Sequence, residues 1–188
     1  MSFTAKVKEI ALNPNFMTIS RVLAVPVLIV LLMFETRVTL FLAGLVFTAA
    51  SITDYLDGYI ARKYQLVTAL GKMLDPLADK LLISTAFVML VELGFMPGWI
   101  ACVIIGRELA VTGLRSIMAE HGQDGAASML GKLKTGFQIA AVIPLILHYS
   151  YLGINFSAIG TVLLYGALIF TLWSGVDYFV KSKKILGF

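Results

Sequence analysis

Four aspartates lie close together in a chain that is otherwise mostly apolar. They form two pairs, Asp54 with Asp57 and Asp75 with Asp79. Because side chains three or four residues apart in a helix lie on the same face, each pair would project from one face of its helix. Oxygen ligands alone suit Mg²⁺ or Mn²⁺, whereas zinc sites use histidine and cysteine. The pattern therefore predicts a cage for divalent metal ions.

The two pairs can share one depth if two antiparallel helices carry them. With a turn at residues 62–71 and a rise of about 1.5 Å per residue, Asp54 and Asp79 each lie roughly 12 Å from that turn. By the same rise, Asp57 and Asp75 lie roughly 7 Å and roughly 6 Å from it. We therefore expect the four carboxylates to converge.

Clustered carboxylates in an apolar chain carry an energetic cost. An aspartate at the centre of a membrane helix costs roughly 2.5 to 3.5 kcal/mol, and neighbouring carboxylates repel one another unless cations neutralise them. One alternative is a structural network of ion pairs with Arg62, Lys72 or Lys80. Two regularly spaced acidic pairs are more than packing requires, so the metal site is the favoured interpretation.

Small residues and one arginine accompany the aspartates. Gly58 and Gly71 each cost a helix roughly 1 kcal/mol relative to alanine, and glycine there lets a flat or charged ligand approach the backbone. Close packing of membrane helices would explain these glycines and Ala61 equally well. Arg62 can offer a planar fork to phosphate, and the alternative is a positively charged anchor at the membrane boundary.

A second polar group is basic and comes from three different predicted helices. Arg107 and Arg115 are eight residues apart and therefore lie on roughly one helical face, with Glu108 nearby. Five cations around an acidic metal cage suggest a pocket for an anionic second substrate, and attraction to anionic lipid headgroups is the alternative. The five basic residues are Arg21, Arg107, Arg115, Lys132 and Lys134.

The elements that must position these residues are membrane-spanning helices. A chain of 188 residues that is 59% hydrophobic, with a mean hydropathy of +0.91, is more apolar than a soluble domain, in which about half the residues are apolar. We predict one all-α integral membrane domain over residues 1–188 with six transmembrane helices. Residues 1–12 would form a short interfacial helix or a frayed basic tail. We call residues 54–79, which contain the four aspartates, the aspartate stretch. The predicted spans are 16–34, 38 into the aspartate stretch, 71–93, 99–120, 130–150 and 154–180.

The positive charges are distributed asymmetrically along these predicted spans. If both termini face the cytoplasm, Arg37 is the only one of the fifteen Lys and Arg residues on the outer side. The positive-inside rule therefore predicts a multi-pass protein of the plasma membrane with both termini in the cytoplasm. The aspartate site would then open to the cytoplasm, where a water-soluble substrate can meet a lipid.

The aspartate stretch also resembles a known signature. Between Asp54 and Asp79 the pattern D-x2-D-G-x2-A-R-x8-G-x3-D-x3-D is complete, and it is similar to that of the CDP-alcohol phosphotransferase family. Other segments resemble the bacterial branch of that family that makes phosphatidylglycerol phosphate. These segments are 13–21, 106–108, 112–115 and 131–135.

The resemblance implies a dimeric six-helix membrane enzyme. It would transfer the phosphatidyl group of CDP-diacylglycerol to sn-glycerol 3-phosphate and release CMP. The four aspartates would bind two divalent cations, Mg²⁺ or Mn²⁺, and Asp79 would also be the base that activates the acceptor hydroxyl. The CDP site would be lined by Gly58, Ala61, Arg62 and Gly71. The acceptor phosphate would be bound by Arg21, Arg107, Arg115, Lys132 and Lys134.

Other functions are compatible with parts of this pattern. Within the family the acceptor could be inositol phosphate, serine or phosphatidylglycerol. The basic residues favour a phosphorylated acceptor over serine, and the branch motifs favour glycerol phosphate. A divalent-cation transporter would need a site near the middle of the membrane with access from both sides, whereas this site is predicted at the cytoplasmic end.

Overall fold

The computed structural model describes the backbone of residues 14–64, 69–120, 129–151 and 153–186. Side chains are described within 21–53, 80–118, 131, 133–151 and 153–180. These parts contain six helices and a two-stranded antiparallel hairpin. The helices are α1 (Pro14–Met33), α2 (Arg37–Tyr64), α3 (Ala69–Glu92), α4 (Gly98–Glu120), α5 (Met129–Leu147) and α6 (Phe156–Leu186), and the strands between α5 and α6 are β1 (Ser150–Tyr151) and β2 (Ile154–Asn155).

The all-α class is confirmed, since a helix occupies each of the six predicted spans. The interfacial helix predicted for residues 1–12 lies outside the described residues. Within the described part, one helical segment is long and apolar enough by itself to cross a bilayer, Phe156–Val180, with a mean hydropathy of 1.8. Shorter apolar segments are Arg21–Met33, Arg37–Thr53 and Leu133–Leu147. Six transmembrane spans therefore stay a prediction.

The structure corrects the predicted boundary between the last two spans. Helix α5 ends at Leu147, because His148 has a φ of 50° and this left-handed conformation stops a helix. The small hairpin follows, where the spans were predicted to end and begin. Asn155 then caps α6, since its Oδ1 accepts a hydrogen bond of 3.1 Å from the backbone N–H of Ala158.

Two compact units divide the chain, Met1–Met89 and Leu90–Phe188. In the first unit, α1 and α2 pack against each other. They are joined by a turn of only three residues, so they run antiparallel. Their buried apolar side chains are Val25, Leu28, Leu32, Leu40, Ala43 and Phe47.

The start of α2 is fixed by two threonines. The hydroxyl of Thr39 accepts a hydrogen bond of 3.1 Å from the backbone N–H of Thr36, and the hydroxyl of Thr36 accepts one of 3.2 Å from the N–H of Thr39. This reciprocal arrangement is a capping box, which satisfies N–H groups that have no partner within the helix. Glu35 has a φ of 49°, and this left-handed conformation turns the chain into the start of α2.

In the second unit, α6 packs against both α4 and α5. It approaches α5 closely at Gly160, where a Cβ atom would lie 2.7 Å from Cγ of Leu145 and 2.9 Å from its backbone nitrogen. Further along the same interface, the rings of Phe137 and Phe170 stack with their centroids 4.7 Å apart. Small residues at such contacts let helix backbones come close together.

Replacing Gly160 with alanine is expected to destabilise the second unit. The new methyl group would meet the backbone of α5, which cannot move aside as a flexible side chain can, and overpacking of this kind costs about 1 to 3 kcal/mol. Thermal unfolding in detergent measures the effect. Gly136→Ala in α5 is the matched control, because no described atom lies within 4 Å of its Cβ position. Equal stability of the two variants would contradict the close contact.

Candidate active site

The backbone of the aspartate stretch is helical on both sides of a short connection. Asp54 and Asp57 lie in α2, which ends at Tyr64, and Asp75 and Asp79 lie in α3, which begins at Ala69. Spacings of three and four residues in regular helix place each pair on one face. An all-carboxylate donor set of this kind fits Mg²⁺ or Mn²⁺.

The side chains of the aspartate stretch lie outside the described part of the chain. The convergence of the four carboxylates therefore stays a prediction. The residues predicted to line the CDP site belong to the same stretch, and three of them lie in α2 and one in α3. They are Gly58, Ala61, Arg62 and Gly71.

Polar side chains lead along α2 towards these aspartates. The hydroxyls of Thr48, Ser51 and Thr53 each donate to the backbone carbonyl four residues earlier, at 2.7, 2.8 and 2.8 Å respectively. Such bonds satisfy a hydroxyl within its own helix, so the residue can lie in an apolar segment. The part of α2 just before Asp54 is therefore regular helix, and its three hydroxyls are satisfied within that helix.

A cluster of charged side chains lies between α4 and α5. Glu108 of α4 forms ion pairs with its neighbour Arg107 and with Lys134 of α5, and both pairs use the same carboxylate oxygen, Oε1. The distance from Arg107 Nη1 to this oxygen is 3.2 Å. Lys134 is only 6% exposed. We call Arg107, Glu108, Arg115 and Lys134 the basic cluster.

Helix α6 provides a hydrogen-bond partner for each arginine of the cluster. Nη2 of Arg107 donates to the hydroxyl of Ser174 at 2.9 Å, and Nε of Arg115 donates to the hydroxyl of Tyr178 at 2.9 Å. The guanidinium carbon of Arg115 also lies 4.9 Å from the centre of the Tyr178 ring, which is a cation–π distance. Both arginines therefore project towards α6, and this confirms the shared helical face that their spacing of eight residues predicts.

A buried chain of hydrogen bonds continues from Ser174 into α5. The Ser174 hydroxyl donates to the backbone carbonyl of Thr171 at 3.2 Å, and the amide nitrogen of Gln138 donates to the Thr171 hydroxyl at 3.3 Å. All three side chains are buried. Because an unpaired polar group is costly in such surroundings, this chain fixes α5 and α6 beside the basic cluster.

The basic cluster carries a net positive charge in partly buried surroundings. Its three cations and one carboxylate carry a net charge of +2, and the ion-paired side chains of Arg107 and Glu108 are no more than 14% exposed. Electrostatic attraction is stronger in such partly buried surroundings than in water. A phosphate monoester carries a charge between about −1.5 and −2 at pH 7, which matches the cluster.

The structure brings together three of the five residues predicted to bind the acceptor phosphate, namely Arg107, Arg115 and Lys134. Arg21 is buried within α1 of the first unit, and the side chain of Lys132 lies outside the described part. Ser174 and Tyr178 were not predicted as site residues. A usable signal was present, because polar side chains four residues apart in an apolar span are by default functional candidates.

Comparison with known proteins identifies the class to which this arrangement belongs. The sequence model of the CDP-alcohol phosphatidyltransferase family matches residues 11–173. The chain therefore belongs to this family. The match includes the complete aspartate stretch and all four residues of the basic cluster.

Individual relatives are similar over nearly their whole length. A protein of Bacillus subtilis (strain 168) is 42% identical over 185 residues, covering 92% of this chain and 96% of its own. A protein of Rickettsia felis is 40% identical, covering 91% and 95%, and one of Haemophilus influenzae is 38% identical, covering 92% and 94%. Each of these proteins is named CDP-diacylglycerol–glycerol-3-phosphate 3-phosphatidyltransferase.

Proposed function

We propose that this chain transfers the phosphatidyl group of CDP-diacylglycerol to sn-glycerol 3-phosphate, giving phosphatidylglycerol phosphate and CMP. The names of its relatives support the reaction. The observation that carries the choice of acceptor is the basic cluster, whose net charge of +2 suits a phosphate monoester. An acceptor with no net charge, such as zwitterionic serine, would leave this net charge of +2 without a matching anion.

The proposed reaction is an in-line substitution at phosphorus. The acceptor hydroxyl oxygen forms a bond to the phosphorus that carries diacylglycerol, while the bond from that phosphorus to the CMP oxygen breaks. CMP leaves with the electron pair, and Asp79 accepts the hydroxyl proton, which makes a weak nucleophile effective at neutral pH. When bound, divalent cations would neutralise the pyrophosphate charge and stabilise the leaving group.

The aspartate stretch is assigned the donor side of this reaction. Asp54, Asp57, Asp75 and Asp79 hold two divalent cations, Mg²⁺ or Mn²⁺, and the neighbouring small residues leave space for CDP. Arg62 offers its planar fork to the pyrophosphate. The support for this assignment is the complete spacing of the signature on two helical segments.

The proposed setting is the plasma membrane of a bacterium. All six helices span the bilayer, both termini face the cytoplasm, and two chains form a dimer. The support is the apolar composition, the segment Phe156–Val180, and the concentration of Lys and Arg at one side of the predicted spans. At the cytoplasmic surface the enzyme can meet both a lipid donor and a water-soluble acceptor.

The proposed function is tested by measuring CMP release from CDP-diacylglycerol with the protein purified in detergent. The acceptors are sn-glycerol 3-phosphate, inositol phosphate, serine and phosphatidylglycerol, and the lipid product is identified by mass spectrometry. We expect CMP release, with phosphatidylglycerol phosphate as the lipid product, when sn-glycerol 3-phosphate is the acceptor. We expect no CMP release with the other three acceptors. Efficient turnover of another acceptor, or none of any, would overturn the assignment.

Replacing Arg115 with alanine is expected to raise KM for sn-glycerol 3-phosphate by about tenfold to a hundredfold, because a charged hydrogen bond contributes about 1.5 to 3 kcal/mol. KM for CDP-diacylglycerol should stay within about twofold of the wild-type value. Tyr178→Phe should have a smaller effect on the same KM, because it removes only the hydroxyl that orients Arg115. Steady-state kinetics with each substrate varied in turn measures both variants.

A matched control for Arg115→Ala is Arg37→Ala, which removes an arginine from the exposed start of α2. This control should leave both KM values unchanged. If Arg115→Ala changed the two KM values equally, separate sites for donor and acceptor would be excluded.

A further inference from the structure

Glu108 has an unusual position among the four groups of the basic cluster. A single oxygen, Oε1, contacts cations from two different helices, Arg107 of α4 and Lys134 of α5. Its side chain is only 14% exposed. A partly buried carboxylate that holds two cations at one point fixes the distance between them.

The ammonium of Lys134 depends on this carboxylate. Lys134 is 6% exposed, and a buried cation is costly unless it is paired. Arg107 and Arg115 both repel it electrostatically, whereas Glu108 attracts it. Among the described side chains, Glu108 is thus the group that offsets both the burial of Lys134 and the repulsion from the two arginines.

Arg107 is held on a second side by α6. Nη2 donates to Ser174, and the aliphatic part of the side chain crosses Gly175, where an added Cβ would lie 3.3 Å from Cγ of Arg107. With Nη1 on Glu108 and Nη2 on Ser174, the guanidinium plane is defined at two points. Among the described side chains, Glu108 is the group that links Lys134 to Arg107.

We propose that Glu108 is a positioning residue of the acceptor site, which keeps Lys134 and Arg107 at the separation needed to bind one phosphate group. This proposal rests on the proposed function, since it takes the basic cluster as the site of the acceptor phosphate. Glu108 itself contacts no substrate and transfers no proton in the reaction. Its contribution is to keep Arg107 and Lys134 in place when no phosphate is bound.

The test compares Glu108→Gln with the wild-type enzyme in the CMP-release assay. Glutamine keeps the shape of the side chain but loses the charge that holds both cations. We expect KM for sn-glycerol 3-phosphate and the inhibition constant of inorganic phosphate each to rise by about tenfold or more. KM for CDP-diacylglycerol should stay within about twofold of the wild-type value. An exposed carboxylate at the end of α3 gives the control, Glu92→Gln, which should change none of these constants.

Two outcomes would overturn the proposal. One is an unchanged or lower KM for sn-glycerol 3-phosphate in Glu108→Gln, and the other is an equal change of both KM values, as expected if the substitution distorts the donor and acceptor sites alike. If the glutamine variant does not fold, Glu108→Asp provides the same comparison, because it keeps the charge but withdraws it by one methylene. Its KM for sn-glycerol 3-phosphate should rise at least about threefold, and an unchanged value would overturn the proposal.

Failure of the inference can be distinguished from failure of the proposed function. If wild-type protein releases CMP with sn-glycerol 3-phosphate while Glu108→Gln has the same KM, only the positioning role is lost. If wild-type protein releases no CMP with that acceptor, the proposed function fails before any variant is compared.

Discussion

Asp79→Asn is expected to lower kcat for CMP release by at least about a hundredfold, since a positioned base contributes about 10² to 10⁴ to the rate. Asparagine keeps the size of the side chain but cannot accept the hydroxyl proton. The measurement is single-turnover CMP release at saturating concentrations of both substrates. Because Asp79 is also assigned as a metal ligand, the assay is repeated with increasing Mg²⁺, and rate loss that persists at saturating metal identifies the missing base.

The control for Asp79→Asn is the same change at Asp124, an aspartate outside the signature. This variant should retain the wild-type rate. Unchanged turnover in Asp79→Asn, with correct folding verified by its thermal unfolding, would show that Asp79 is not the base. Its proposed role would then be that of a metal ligand alone.

Chelation of divalent cations with EDTA is expected to abolish CMP release. Without cations the four carboxylates of the signature repel one another, and the pyrophosphate keeps its full negative charge during attack. Added Mg²⁺ or Mn²⁺ should restore the rate, because these ions prefer oxygen ligands. Cation binding should also raise the unfolding temperature, as any ligand of the folded state does.

A second variant makes the chelation result specific to the aspartate stretch. Asp57→Asn should increase the Mg²⁺ concentration needed for half-maximal rate and reduce the thermal stabilisation by Mg²⁺. Full activity in EDTA would contradict metal dependence. Wild-type dependence on Mg²⁺ in Asp57→Asn would contradict the assignment of that carboxylate.

The helices were predictable from the sequence because their signals are local. Apolar runs mark the spans, and Asn, Gly or Pro bounds several of them, as in the turn before α4, which contains Gly94 at φ 70° and Pro97. The shared face of Arg107 and Arg115 was also predictable, because it follows from helical periodicity alone. The hairpin before α6 was not, because strands of two residues leave no periodic pattern.

Contacts between helices could not be predicted in the same way. Arg107 and Ser174 are 67 residues apart in the chain, and Arg115 and Tyr178 are 63 apart. A single sequence gives the spacing within each helix but does not determine which helix faces which. For that reason the residues of α6 that hold the two arginines were missed, and the double role of Glu108 could not be foreseen.

Because Arg107 and Arg115 of α4 both donate hydrogen bonds to α6, the length of α6 restricts how this chain can be re-engineered. Fourteen positions separate Gly160, which sets the approach to α5, from Ser174. Inserting or deleting one amino acid within that interval would rotate everything beyond it by about 100° and carry Ser174 and Tyr178 away from their guanidinium groups. Chimeras that exchange this segment must conserve its length, whereas insertions before α6, in the region of the hairpin, leave that register unchanged.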